Sequence, residues 1–445
     1  MALLVICFFI FRKELAAPAF LFTFGFAVQA VWAVLYQKAW GLGLHTNTFL
    51  VIVLGVAEFI AVCYITNLIL EKNYSKKKSR ERTTAKKVSY IKVNKILTWL
   101  CLIFTIVSSV IYLYFAVKCG GGDFSSLDGI ANGISGYNVM AKFTDSVIPM
   151  PSIVSNMNIV AAAIGFWFIY IIVNNFVATK KINALQTITA ILCILSSMLS
   201  GSRTVAATMV LSALVAYLIL VLKKNGKYRI TKKSAGVVIT AVVAAMIVFY
   251  GTAVVMGRDD VNDIPSYLSV YLGAEVKNLD MYLKKHPFGE NNAGQMWGAQ
   301  TFHNIYIAPV VMRLNGNIKM YQQDQPFRKY HGLKLGNVHT TFYQYIYDFG
   351  YIGEAILVAI MAIISQIIYF LAKRSSNSKH PPMPFLIYFM VSNSLILSFF
   401  SEKFYGTIIS TLFIKYVVIW LLMNYVSRQK ISSINDNYYW LPISQ

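Results

Sequence analysis

Apolar runs of about 20 residues recur along nearly the whole of this 445-residue chain, and they restrict its fold more severely than any other feature. As a helix, a run of that length covers about 30 Å, the thickness of a bilayer's hydrocarbon layer. Inside lipid, only helices and closed barrels satisfy every backbone N–H and C=O. The runs fall at roughly 17–37, 47–70, 95–117, 156–178, 182–200, 204–222, 234–256, 341–372, 384–400 and 405–426. With a shorter one at 2–11 they make about eleven predicted spans. No stretch between them is polar enough for a large soluble domain, so residues 1–445 read as one all-α polytopic membrane domain. Composition agrees, with 57% hydrophobic and 13% charged residues.

A formal charge of +22 raises nucleic acid as a partner, and the placement of the charge argues against it. Of the 40 basic residues, 25 lie on alternate connections: Arg12/Lys13, the run through 71–95, Lys180/Lys181, 223–233, 373–379 and Arg428/Lys430. These are short juxtamembrane segments, not a soluble basic face interleaved with aromatics. A Lys/Arg excess marks the cytoplasmic side, which puts the N-terminus outside and the C-terminus in the cytoplasm. Such loops also suit contact with anionic lipid.

The opening MALLVICFFIF is short for a span, and its charges follow the apolar run, unlike those of a cleaved signal peptide. A tilted or partial first span is expected. Cys7, Cys63, Cys101, Cys119 and Cys193 are scattered without metal or disulfide spacing and read as packing residues.

Two external connections are long: 118–155, rich in Gly and Ser, and 257–338. In the second, Ile264, Leu268, Leu272, Val276, Leu279 and Leu283 recur at helical steps, which predicts an amphipathic helix on the membrane surface or over the bundle. The amides, aromatics and few charges of 286–337 suit a polyhydroxylated ligand and equally suit a packed polar loop. Matching halves, common in alternating-access transporters, are not seen.

HTTFYQYIYDFGYIG (339–353) precedes a long apolar run. If the helix starts at about 339, Gly350 and Gly353 lie within about 20° and 40° of the direction of His339. The glycines would then let a neighbouring helix approach and hold the imidazole at the outer interface. An ordinary interfacial histidine with packing glycines fits the same spacing.

A His, a small polar residue, aromatics, an acid nine residues on and glycines eleven and fourteen residues on resemble the pattern of bacterial O-antigen ligases and the related O-antigen and capsule repeat-unit polymerases. Here these are His339, Thr340, Asp348, Gly350 and Gly353. Thr340 stands where the ligases commonly carry an amide, and Asp348 where Glu is frequent. SGSRT (200–204) and GRDD (257–260) also resemble the polymerase group, as does the order of short first span, basic loop and large external loop before the His. The resemblance implies a C-type, all-helical membrane glycosyltransferase that needs no metal or other cofactor. Its substrates would be undecaprenyl-diphosphate-linked oligosaccharides joined with inversion at the outer leaflet, and a flippase and a chain-length regulator would be its partners.

Such a reaction needs a base near neutral pKa, for which His339 is suited, and cations where the departing diphosphate gathers charge. Arg203 and Arg258, at outer span ends, fit that second task, although arginines there also snorkel. His303, Asn304, Arg313, Arg328 and Tyr330 are further candidates for binding sugar or phosphate. The carboxylates of RDDVND (258–263) read more readily as helix-capping acids than as a metal site. Glu58 and Lys415 fall inside spans, and no nucleotide-binding or HExxH motif occurs. The leading expectation is a repeat-unit polymerase with the 257–338 loop over its site. A ligase uses the same donor, and a lipid-linked oligosaccharide flippase is the alternative from another class.

Overall fold

The computed structural model of the chain describes residues 1–78, 88–143, 150–201, 203–226, 264–287, 297–306, 328–375, 379–428 and 440–441, with single positions between 236 and 251. The chain forms two compact units, each built from separated stretches. The first comprises Met1–Thr84, Asn262–Leu371 and Met390–Phe413; the second comprises Ala85–Val261, Ala372–Phe389 and Ile414–Gln445. The sequence carries no mark of this division, because the chain returns to each unit and no linker composition accompanies the crossings.

The helices in chain order are α1 (Ala2–Ile10), α2 (Pro18–Leu35), α3 (Thr46–Lys78), α4 (Lys95–Cys119), α5 (Leu127–Phe143), α6 (Ser152–Thr179), α7 (Ala184–Met198) and α8 (Thr204–Asn225). There follow α9 (Ile264–Leu272), α10 (Ala274–Lys285), α11 (His303–Tyr306), α12 (Thr341–Arg374), α13 (Met383–Ile396), α14 (Phe404–Ile408) and α15 (Thr411–Arg428). Among the described residues six, α2, α3, α4, α6, α8 and α12, are long and apolar enough to cross a membrane. The expected span at 182–200 is the 15-residue α7, that at 384–400 is α13 with a 3-10 turn to Phe399, and that at 405–426 is broken into α14 and α15. The span expected at 234–256 lies outside the described residues apart from single positions.

In the second unit α6 is the central helix: 72% of its most apolar window is buried, against 39% for α4 and 44% for α8. A helix enclosed on every side must satisfy its polar groups from its neighbours. Trp167 Nε1 donates to Asn424 Oδ1 (2.8 Å), Asn424 Nδ2 to the Pro381 carbonyl (2.9 Å), and Trp420 Nε1 to the Ala163 carbonyl (3.0 Å). At its far end Asn175 takes the Ile91 N–H (2.8 Å) and donates to the Ile91 carbonyl (2.9 Å), pinning the segment that leads into α4. The Gly/Ser-rich 118–155 connection holds a helix that the sequence reading missed. α5 folds back on the end of α4, so close that a Cβ on Gly120 would overlap the Gly133 carbonyl. Glycines there read as loop, whereas they allow two backbones to meet.

In the first unit the rings of α2, α3 and α12 interleave: Phe22 stacks on Phe59 at 4.2 Å, and Phe342 on Phe26 at 5.2 Å. The expected amphipathic surface helix is instead two helices broken at Gly273, and the second is enclosed. On α10 the apolar Val276, Leu279 and Leu283 are buried, and so are Glu275, Lys277, Asn278 and Asp280 of the opposite stripe. The apolar periodicity was real; the polar face it implied is covered by this unit's other elements.

The strands are β1 (Ile182–Asn183), β2 (Arg328–Tyr330), β3 (Leu333–Gly336) and β4 (Trp440–Leu441). β1 pairs antiparallel with β4, and β2 with β3. The β2–β3 hairpin pairs Tyr330 with Leu333 across His331 (φ 45°) and Gly332 (φ 83°), two successive left-handed residues that match the right-handed twist of a two-residue hairpin.

Candidate functional site

His339 lies two residues before α12, not on its first turn. The helix is also interrupted at Gly350 (φ 66°, ψ −171°), a conformation open in practice only to glycine. The single face carrying His339, Gly350 and Gly353 is therefore absent, because angular arithmetic needs an unbroken helix from 339. The glycines serve the break itself. Nothing lies within 4 Å of a Cβ on Gly350, and a Cβ on Gly353 would overlap Phe349 Cβ of its own helix. A glycine that does admit α12 is Gly55 of α3, where a Cβ would meet the Phe342 ring at 2.5 Å.

His339 is nonetheless held tightly. Asn278 Nδ2 donates to the carbonyls of Leu335 (3.0 Å) and Val338 (2.8 Å), fixing the strand up to the residue before it. The imidazole stacks on Tyr343, centroids 4.1 Å apart and planes 17° apart. It is 1% exposed, and its Nε2 has no hydrogen-bond partner among the described residues. Asn278 Oδ1, also buried, has none. The hairpin delivers Arg328 to this place, where its Nη1 donates to the Asn278 carbonyl (3.3 Å). Burial, and then the Arg328 charge, push the His339 pKa well below the ordinary value, so the ring is neutral at physiological pH. Burial lowers the Arg328 pKa as well, yet a guanidinium starts too high to lose its proton. The result is a neutral imidazole with a buried, unpartnered nitrogen near a fixed positive charge.

Of the other candidates, Tyr330 packs under the Lys277 ammonium (4.6 Å) and against the apolar cluster of Trp40, Leu42 and Leu335, a supporting role. Asn304 Nδ2 donates to the Gly406 carbonyl and so ties α11 to α14. His303, partly buried, opens α11. Asp348 accepts the backbone N–H groups of Thr301 (2.6 Å) and Gln300 (3.3 Å), anchoring the 297–306 segment to α12. Arg203, buried, precedes α8 in the second unit, after a turn in which Asn138 donates to the Gly201 carbonyl. Arg258 and Arg313 lie outside the described residues, as does RDDVND. Glu58 belongs to the first unit, in reach of the Glu354 charge, and Lys415 to the second, donating to Asn156 Oδ1 (2.8 Å). No cluster of three or more metal-ligating side chains occurs among the described residues, and all five cysteines are buried thiols.

Sequence reasoning missed Asn278 and a contact between His45 and Asp280. Both acid and amide sit in AEVKNLDMYLKK, which looks like the solvated stripe of a surface helix. Only the covering of that stripe gives them meaning.

Comparison with protein-family models, with curated proteins and with solved structures finds no match. Fold and site together define an α-helical, membrane-embedded protein whose first unit encloses a histidine–arginine pair.

Proposed function

We propose that the protein is a repeat-unit polymerase that transfers a glycan chain from undecaprenyl diphosphate onto a lipid-linked oligosaccharide at the outer leaflet of a bacterial cytoplasmic membrane. In this reading eleven spans place the N-terminus outside and the C-terminus in the cytoplasm, and the fold is of the C-type glycosyltransferase kind. The observation that carries the proposal is the buried Nε2 of a neutral His339, unpartnered among the described residues and within the electrostatic reach of the Arg328 guanidinium. Glycosyl transfer from a diphosphate makes both demands: a neutral acceptor for the attacking hydroxyl's hydrogen bond, and a cation for the charge gathering on the leaving group.

A hydroxyl of the acceptor sugar, hydrogen-bonded to His339 Nε2, passes its proton to that nitrogen as its oxygen attacks the anomeric carbon of the donor. The C–O bond to the diphosphate breaks on the opposite face and the leaving oxygens take the electron pair, which inverts the configuration. Arg328 neutralises the leaving group. A flippase supplies the units and a chain-length regulator limits the product. An O-antigen ligase would use the same donor chemistry with a different acceptor.

The test is to incubate purified protein with one defined lipid-linked oligosaccharide. A ladder of lengthening products supports the polymerase. Intact single units, moved between leaflets of a vesicle but never joined, would replace it with a flippase.

A further inference from the structure

The β2–β3 hairpin is not a regular ladder. Tyr330 pairs with Leu333 and Lys329 with Lys334, but Arg328 pairs with Gly336, so Leu335 is an extra residue in β3. Paired residues of antiparallel strands carry their side chains on one face, so an unbroken ladder would set Arg328 directly across from Leu335. Leu335 is fully buried, in an apolar cluster with Trp40, Leu42 and Val276. A guanidinium drawn toward that cluster would lose its water without gaining a counter-charge. The bulge removes the conflict: Leu335 keeps its place in the cluster, and Arg328 faces the one residue of β3 that has no side chain.

Gly336 makes the bulge possible. Its φ is 74°, in the left-handed region where other side chains are strained. Among the described residues a Cβ there would meet only Val270 Cγ1, at 3.7 Å, so glycine is needed for its backbone angle and not for room. Left-handed glycines recur in β-bulges, and bulges beside sites re-aim a side chain. Asn278 locks both strands: its Nδ2 donates to the carbonyl of the extra residue Leu335 (3.0 Å), and its own carbonyl accepts Arg328 Nη1 (3.3 Å). The same amide holds the Val338 carbonyl (2.8 Å), one residue before His339. Gly336, opposite Arg328, and His339 therefore belong to one clamped stretch. A slip of one residue in that pairing would move Arg328 along it by about 3.3 Å and reverse the face it meets.

We propose that Gly336 is a positioning residue of the transfer reaction: the left-handed bulge it permits holds the Arg328 guanidinium in the register from which it meets the leaving diphosphate. The inference rests on the glycosyltransferase reading above. Gly336 touches no reacting atom and acts through Arg328. A side chain at this position drives the backbone out of the left-handed region, returns Leu335 to the ladder opposite Arg328 and draws the guanidinium off the Asn278 carbonyl. The bonds made and broken stay the same, but the departing oxygens lose the cation that neutralises their charge.

The experiment follows initial rates on a defined lipid-linked oligosaccharide in full-length protein. Gly336→Ala should lower kcat by about 10-fold or more at unchanged KM, because Arg328 acts on charge that gathers only as the donor bond breaks. Gly336→Asn should regain most of that rate, since asparagine tolerates the left-handed region. Added to Arg328→Ala, Gly336→Ala should cost no further kcat, which a merely structural glycine would not show. Gly336→Ser runs the same cycle if the alanine protein does not fold. A wild-type rate in Gly336→Ala, an asparagine variant no better than the alanine one, or an equal loss with and without Arg328 would each overturn the proposal while leaving the polymerase reading intact. A wild-type protein that makes no ladder would remove that reading itself, before any variant is compared.

Discussion

Gly350 carries the clearest single-residue prediction. Its φ of 66° and ψ of −171° exclude a side chain, while the space beside it is open. Gly350→Ala should therefore cost about 1–3 kcal/mol through the backbone alone and lower the unfolding temperature in detergent. An unchanged temperature would mean that the break is not rigid. Glu402 offers a second. Fully buried and accepting the N–H groups of Tyr405 (2.6 Å) and Gly406 (3.0 Å), it has its pKa raised by burial from 4.5 to about 7. A carboxyl raised in the folded state contributes stability that is fully present below its unfolded value and lost as pH rises through the folded one. Stability should fall by up to about 3 kcal/mol between pH 4.5 and 7, and Glu402→Gln should flatten that slope. At this scale the sequence was partly legible. His339 and Arg328 were visible as candidates, but the purpose of Gly350 was not, because a backbone break and a packing face use the same residue.

At the scale of elements, α10 and the β2–β3 hairpin together present His339 and Arg328. Asn278→Leu removes both hydrogen bonds that fix residues 335–338 and leaves two carbonyls unsatisfied, a loss of about 2–4 kcal/mol. Activity should fall in parallel, while Asn278→Asp, which keeps the volume but replaces the donor, should do no better. Measuring turnover and unfolding on the same samples checks this. Retention of full turnover in the folded Leu variant would show that the clamp is dispensable. Helix positions in the apolar runs were read to within a few residues: 204–222 against Thr204–Asn225, 341–372 against Thr341–Arg374. Hydropathy sees length and apolarity. It does not see that the polar stripe of α10 is enclosed, or that the glycines of 118–155 bring α5 against α4, since both depend on neighbours distant in sequence.

For the whole molecule, topology is open to direct test because every native cysteine is buried. Cysteines placed at the exposed Lys285 and Ser75 should report opposite faces. An impermeant thiol reagent should label Lys285→Cys in intact cells and Ser75→Cys only after permeabilisation; the reverse pattern would invert the assigned orientation. The charge asymmetry predicts this orientation, whereas nothing in the sequence marks the division into two units, because chain crossings leave no compositional trace. The central claim is that His339 engages the acceptor hydroxyl and Arg328 the leaving diphosphate of the proposed transfer, and release of the lipid diphosphate followed by phosphorus NMR tests it most directly. His339→Ala and Arg328→Ala should each slow release by about 100-fold or more, with the double variant little worse than either, as expected of groups that act as a unit. Release at the wild-type rate from Arg328→Ala would contradict the account.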